Sequence, residues 1–241
     1  MSVSNKIALV TGASTGIGRA IAVELSEQGF DLIITARREK NLQKTKLLIQ
    51  SNCHIILADL SQLASVNQLI KEAKKFTSKL DLVVNVAGVW HDDNKVFAEI
   101  DYQKFVQSTI LNTMTVGINA PMLLVHGLLP IMSKNSHIIN ISGTFEDGGK
   151  GWLPYYVSKK AIEDFTVGLS EELKEKGIYV NCISPSDTAT KEYKKYFPEY
   201  TQDALSPKSI AQQLIKILKS KKTGKIVVVK KGKKPFESFH Y

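Results

Sequence analysis

The chain predicts an α/β fold: a single doubly wound domain in which a seven-stranded parallel sheet is flanked by helices. Three observations carry that expectation. Short runs rich in Ile and Val, several apolar on both faces, alternate with amphipathic stretches almost to the end of the chain. No repeat, low-complexity tract or linker interrupts the alternation. A chain of 241 residues is long enough for one large α/β core and too short for two comfortable ones, so 1–241 is read as one domain.

The elements follow in order. The strands are Ile7–Thr11, Asp31–Thr35, His54–Ala58, Leu80–Val84, Ser136–Ile141, Ile178–Ile183 and Lys225–Val229. Between them the helical stretches are Gly16–Glu27, Lys40–Gln50, Ser61–Phe76, a long Gln103–Met132, Tyr155–Lys174 and Pro207–Ser220. In the stretch after Tyr155, Ala161, Ile162, Phe165, Leu169 and Leu173 recur at three- and four-residue intervals. Glu163, Glu171, Glu172 and Lys174 fall mainly elsewhere, so one buried stripe results. Strand–helix alternation of this kind needs right-handed crossovers, and ligands then bind outside the carboxyl ends of the strands. The residues just after each strand therefore matter most.

Apolar residues make up 43% and charged residues 23%, ordinary for a globular protein. No apolar run is read as approaching the roughly 20 residues of a membrane span, and no membrane partner is expected. Met1-Ser2-Val3-Ser4-Asn5-Lys6 leads straight into a strand without the parts of a secretory signal, so the expected location is cytoplasmic. Cys53 and Cys182 sit in apolar stretches, form no metal-ligand spacing, and read as buried structural thiols; no metal site is expected. The net charge of +9 is concentrated late, from Lys191 through Lys234. No aromatic-interleaved basic stripe accompanies it, so it reads as a solvated face with no nucleic-acid partner.

After the first strand comes Thr11-Gly12-Ala13-Ser14-Thr15-Gly16-Ile17-Gly18. Glycines 12, 16 and 18 permit a sharp turn and close approach of backbone to a pyrophosphate, while the following helix offers free N–H groups and its positive end. Strand, glycine loop and helix in this order make a Rossmann-type nucleotide site; Gly12, Ser14, Thr15, Gly16, Ile17 and Gly18 are its candidates. A site for NAD ends its second strand with a carboxylate for the ribose 2′-OH. Here Ala36 stands in that place and Arg37 follows, whose forked guanidinium suits a 2′-phosphate. The expected cofactor is NADP(H).

Tyr155-Tyr156-Val157-Ser158-Lys159 opens a helix, and residues four apart share a face, so Tyr155 and Lys159 point together. Free tyrosine titrates near ~10, and a neighbouring ammonium favours phenolate, lowering that value toward neutrality. Ser142 ends the preceding strand, thirteen residues before Tyr155, where a hydroxyl would hold a substrate oxygen beside the phenol.

The glycine spacing, this Ser/Tyr/Lys set and Ser158-Lys159-Lys160-Ala161-Ile162-Glu163-Asp164-Phe165-Thr166 together resemble the short-chain dehydrogenase/reductase family, from Lys6 to about Gly232. Of the two Y-x-x-x-K registers, only Tyr155/Lys159, not Tyr156/Lys160, places Ser158, Ala161 and Phe165 on family positions. The resemblance implies an oxidoreductase moving hydride between nicotinamide and a small-molecule carbonyl or secondary alcohol. Tyr155 would be the general acid/base, and Lys159 would hold the nicotinamide ribose. It further implies that Asp59 and Leu60 contact adenine, and that Asn85-Val86-Ala87-Gly88, close to the family's N-N-A-G, flanks the adenine ribose through Asn85, Ala87 and Gly88. Pro185, Thr188 and Thr190, from a motif like S-P-G-x-x-x-T, would hold the carboxamide, with Ser186 replacing the usual Gly. The segment at about 188–206 would be a substrate lid, and a homotetramer or homodimer is implied through the long helices. A 3-oxoacyl thioester is one candidate substrate.

Three departures stand out. Thr15 occupies a place where NADP-type relatives often carry a basic residue. Gly143 follows Ser142 where two small polar residues are usual, with Thr144 as a distant substitute. Gly117 aligns with the Asn of the family's proton relay, leaving that role unassigned. A catalytically weak nucleotide-binding or regulatory protein on the same fold is the alternative, because fold alone does not fix function.

Overall fold

A computed structural model describes residues 5–92, 94–146 and 148–238; Met1–Ser4, read above for a secretory signal, lie outside them. Seven strands pair in parallel: β1 (Ile7–Thr11), β2 (Asp31–Ala36), β3 (Cys53–Leu57), β4 (Leu80–Asn85), β5 (Met132–Ile141), β6 (Tyr179–Pro185) and β7 (Lys225–Val229). A further strand, β8 (Phe236–Ser238), pairs antiparallel with β7, so the described sheet has eight strands in the order β3-β2-β1-β4-β5-β6-β7-β8. This is a mostly parallel Rossmann-like sheet. The seven parallel strands are those expected, and β8 adds an antiparallel edge to them. It is three residues long and exposed, held partly by Glu237 pairing with Lys222 and Lys225. Hydrophobic periodicity cannot reveal so short an edge.

Helices cover both faces: α1 (Gly16–Glu27), α2 (Glu39–Lys46), α3 (Leu63–Phe76), α4 (Gln107–Met114), α5 (Ala120–Leu128), α6 (Leu153–Glu172), α7 (Lys191–Tyr196) and α8 (Pro207–Lys219). Alternation along the strands divides the core in two. Ala8, Val10, Ile34, Val84 and Ile141 pack with Ile21 and Leu25 of α1 and Leu214 of α8. Leu9, Ile33, Val83 and Ile138 pack with Leu69 of α3 and Leu124 of α5 on the other side. All nine strand residues are at most 4% exposed, as a sheet covered on both faces requires.

The long helix expected over Gln103–Met132 is two helices joined through a π turn, Thr115–Asn119, and closed by a 3₁₀ turn, Leu129–Ile131. Gln107–Ile131 is continuous, carries no Asp, Glu, Lys or Arg, and is long and apolar enough by length and composition to cross a membrane. That corrects the reading that no apolar run approaches a span. In the fold, α5 packs on α3 while α4 packs on α6.

Candidate active site

A cleft of about 1800 Å³ opens over the carboxyl ends of the strands, beside the β1/β4 boundary where strand order reverses. Its floor includes Gly12, Ser14, Thr15, Gly16, Ile17 and Gly18. Gly12 (φ 63°) and Gly16 (φ 53°) are left-handed, and a Cβ on Gly18 would lie 2.2 Å from the Gly12 carbonyl oxygen. Thr15 precedes α1 and its side chain makes no capping hydrogen bond to the first turn. Two residues that sequence reasoning passed over lock this loop. Thr11 Oγ1 accepts from the amides of Val86 (2.9 Å) and Ala87 (3.2 Å). Arg19 donates through Nη2 to the Ser14 carbonyl and through Nε to Thr45 Oγ1 at 3.0 Å.

The other cofactor candidates divide. Arg37 is exposed on the cleft beside Ala36, Arg38 and Asn41. Asp59 and Leu60 also line it; Asp59 Oδ1 accepts from the Ser61 amide (3.0 Å) and hydroxyl (2.8 Å), so it shapes its own turn as well. Ala87 and Gly88 line the wall, but Asn85 does not. Its amide is buried in register with Asn140, donating to Asn140 Oδ1 at 2.8 Å, and Asn140 in turn donates to Thr166 Oγ1 at 2.9 Å. The Asn85 side chain therefore braces the sheet against α6. Pro185, Thr188 and Thr190 line the opposite wall. Thr190 Oγ1 accepts the Tyr193 amide at 3.1 Å, capping α7, and its methyl would lie 2.9 Å from a Cβ on Gly16.

Tyr155 and Lys159 project from the first turns of α6 into the same cleft, with Pro154 near the helix start. Lys159 is 3% exposed; its Nζ donates to the Ile141 carbonyl at 2.9 Å and lies 5.3 Å from the Tyr155 ring centroid. A Cβ on Gly88 would come within 3.3 Å of that ammonium, so the glycine keeps the space beside it open. Burial pushes Lys159 down to about 8, opposed by the nearby Glu163 carboxylate. Burial, followed by the Asp187 carboxylate, holds the Tyr155 phenol above the usual tyrosine range. The Lys159 ammonium is bonded to the Ile141 carbonyl and lies over the Tyr155 ring.

Ser142 lines the cleft, yet its hydroxyl is donated to the Glu163 carboxylate, with the Lys159 carbonyl 3.2 Å away. Alternation along β5 explains it. Asn140 and Ser142 face α6, while Ile139 and Ile141 join the opposite core. The Ser142 proton is thus directed to Glu163, while the serine lines the same cleft as Tyr155. Gly143 has ordinary or open space where a Cβ would stand, the nearest atoms being Phe145 Cε2 at 3.7 Å and the Pro185 carbonyl at 4.0 Å. Of the second register, Tyr156 packs on Phe145 (5.1 Å between centroids) and Lys160 Nζ bonds Glu163 at 3.1 Å.

Gly117 lies in the π turn, and a Cβ there would stand 2.7 Å from both Cβ and Oγ of Ser158. The two helices meet so closely that the place of the relay Asn has no room for a side chain.

The segment expected as a lid forms α7 and a 3₁₀ turn, Pro198–Asp203, closed at a neck where Thr188 bridges Leu205. Its Tyr196 hydroxyl donates to the Asp92 carbonyl at 3.1 Å across the cleft, and Tyr193 hydrogen-bonds Asp187. Aromatic side chains from four segments gather there: Trp90 after β4, Phe145 after β5, Trp152 before α6, and Phe197 from the lid.

The glycine cradle, the uncapped helix start and the space beside Lys159 fit a dinucleotide reaching from Arg37 to Tyr155. The sequence model of the short chain dehydrogenase family matches residues 6–201, and the chain belongs to that family. An uncharacterised oxidoreductase of Staphylococcus aureus is 32% identical over 217 residues, covering 88% of this chain and 90% of that protein. A solved structure from Escherichia coli, described as a short chain dehydrogenase complexed with NADPH, is 26% identical with a TM-score of 0.83. It covers 94% of this chain and 97% of that one. A short chain dehydrogenase from Burkholderia cenocepacia in complex with NADP shares the fold at a TM-score of 0.83 and 22% identity, again covering 94% and 97% of the two chains.

Proposed function

We propose that this oxidoreductase uses NADP(H) to interconvert a carbonyl and a secondary alcohol. The observation that carries the reading is the placement of Tyr155 and Lys159 on one face of α6, in the cleft floored by the glycine loop. Arg37 beside Ala36, and the NADPH complex of the Escherichia coli relative, support NADP(H) over NAD(H).

Bound NADPH supplies the hydride that a carbonyl carbon accepts. Lys159, with its ammonium beside Gly88, holds the ribose hydroxyls; Asp59 and Leu60 flank adenine, and Pro185, Thr188 and Thr190 hold the carboxamide. Tyr155 keeps its proton because burial disfavours phenolate, and it donates that proton as negative charge develops on the substrate oxygen. Ser142 contributes by tying the end of β5 to α6 through Glu163, which fixes the helix turn that carries Lys159. Exposed Leu111, Met122 and Val157, on α4, α5 and α6, support assembly as a homodimer or homotetramer through these helices.

The Gly117 packing and the engaged Ser142 hydroxyl favour one second reading, a nucleotide-binding protein of weak catalysis. Titration and turnover separate the two. The protein has two tryptophans, Trp90 and Trp152, and both line the cleft, so NADPH binding should quench intrinsic fluorescence saturably. Quenching with ketone-dependent NADPH consumption supports the enzyme; quenching alone supports the second reading; neither effect overturns both.

A further inference from the structure

The aromatic wall beside Tyr155 is more than a hydrophobic lining, because its members come from separate segments and meet in a continuous series. Phe145 stands 5.9 Å from the Tyr155 ring at 65°, and Trp152 stands 6.2 Å from the same ring at 48°. Trp152 continues to Phe197 of the lid at 6.0 Å and 36°, and Phe197 to Trp90 at 6.4 Å and 30°. Phe197 is also backed by Tyr193 at 5.2 Å, and Tyr193 is held by Asp187, so the lid's contribution is fixed in place. Ring pairs at such separations gain energy beyond the area they bury, and a flat π system is what such a surface recognises best. A drug-sized pocket takes roughly 300–1,000 Å³. The cleft of about 1800 Å³ has room for such a molecule beside a dinucleotide.

We infer that the substrate is an aryl ketone, or the matching aryl carbinol, whose ring lies on the Phe145–Trp152–Phe197–Trp90 wall while its oxygen meets Tyr155. The inference rests on the NADP(H)-dependent reduction proposed above and gives that site a substrate class. In the reductive step hydride forms the new C–H bond, the carbonyl π pair moves to oxygen, and the Tyr155 proton forms the O–H bond; NADPH is oxidised to NADP⁺.

The test compares three carbonyls with NADPH: acetonaphthone, cyclohexyl methyl ketone, which has an apolar but non-aromatic ring, and an acetoacetyl thioester. The expected result is a kcat/KM for acetonaphthone at least about tenfold above the other two, the size of a pair of ring contacts. Trp152→Leu and Phe197→Leu should each bring that ratio toward one. Equal values for the two ketones, or preference for the thioester, would overturn the inference. If NADPH binds but no carbonyl is reduced, the proposed function fails on its own. Tryptophan quenching by acetonaphthone in the presence of NADP⁺ then decides this point. Saturable binding that cyclohexyl methyl ketone does not match sustains the aryl site, and no such binding overturns it.

Discussion

Ser142 donates its hydroxyl to Glu163, a carboxylate only 3% exposed, rather than to the cleft it lines. Glu163 also accepts from Ser184 Oγ at 3.0 Å and Lys160 Nζ at 3.1 Å, so it is the node joining β5, β6 and α6 behind Lys159. Removing the serine leaves the carboxylate with those two donors. Ser142→Ala should therefore cost about 1 kcal/mol of stability in urea unfolding, the net worth of one hydrogen bond. Its kcat should fall less than about tenfold, well short of the 10²–10⁴-fold that a directly acting proton donor supplies. A larger loss of kcat with unchanged stability would place the hydroxyl on the substrate instead.

Gly117 and Ser158 define the second expectation. A side chain at 117 meets Ser158 at 2.7 Å, and overpacking of this kind costs about 1–3 kcal/mol. Gly117→Asn should lower the melting temperature without raising kcat. Adding Ser158→Gly should recover stability beyond the sum of the single changes, because neighbours in contact are not additive. Additive single and double variants would show that the two residues do not constrain one another.

Arg37 is where the choice of nucleotide is tested. Charge-assisted hydrogen bonds to a phosphate are worth about 1.5–3 kcal/mol, or roughly tenfold to a hundredfold in binding. Arg37→Ala should raise KM for NADPH by that factor and leave KM for NADH within about twofold. Equal weakening of both nucleotides would remove the 2′-phosphate assignment.

Much of this was legible in the chain. The ends of β1, β7 and α1 match the expected ones because a turn glycine or a sharp change of polarity marks each. The glycine loop follows from local spacing, and the choice of Tyr155/Lys159 over Tyr156/Lys160 from the family resemblance of the residues around it. Other features depend on what lies across the fold. Nothing in the run through Thr115–Asn119 announces a π turn, which appears where α6 presses on Gly117. Ser142 lines the cleft as expected, but facing partners across the fold take its proton to Glu163 of α6 and the Asn85 amide to Asn140 of β5. The aromatic wall draws on Trp90, Phe145, Trp152 and Phe197, too far apart in sequence for spacing to connect them.

His137 sets an acid limit on the fold. Its Nδ1 is buried without a partner among the described residues, and its ring stacks on Tyr179 at 4.9 Å. Burial, with Lys6 adding to it, lowers its value from 6.5 to about 4. Because the folded value is the lower one, the stability is whole above about 6.5. It is lost as pH falls toward 4, where the unfolded chain takes up a proton that the fold refuses. The loss is on the order of 3 kcal/mol. Urea midpoints across that range should slope downward in the native protein, and His137→Phe, which keeps an aromatic ring, should flatten the slope. An unchanged slope in the variant would assign the acid sensitivity elsewhere.

Tyr155 as the proton donor is tested most directly by following NADPH absorbance after mixing the NADPH-bound protein with a ketone, in the native chain and in Tyr155→Phe. The native protein should consume NADPH in step with alcohol formed, and the folded variant should do so about 10²–10⁴-fold more slowly. A Tyr155→Phe protein that reduces the ketone at near-native rate would contradict the assignment.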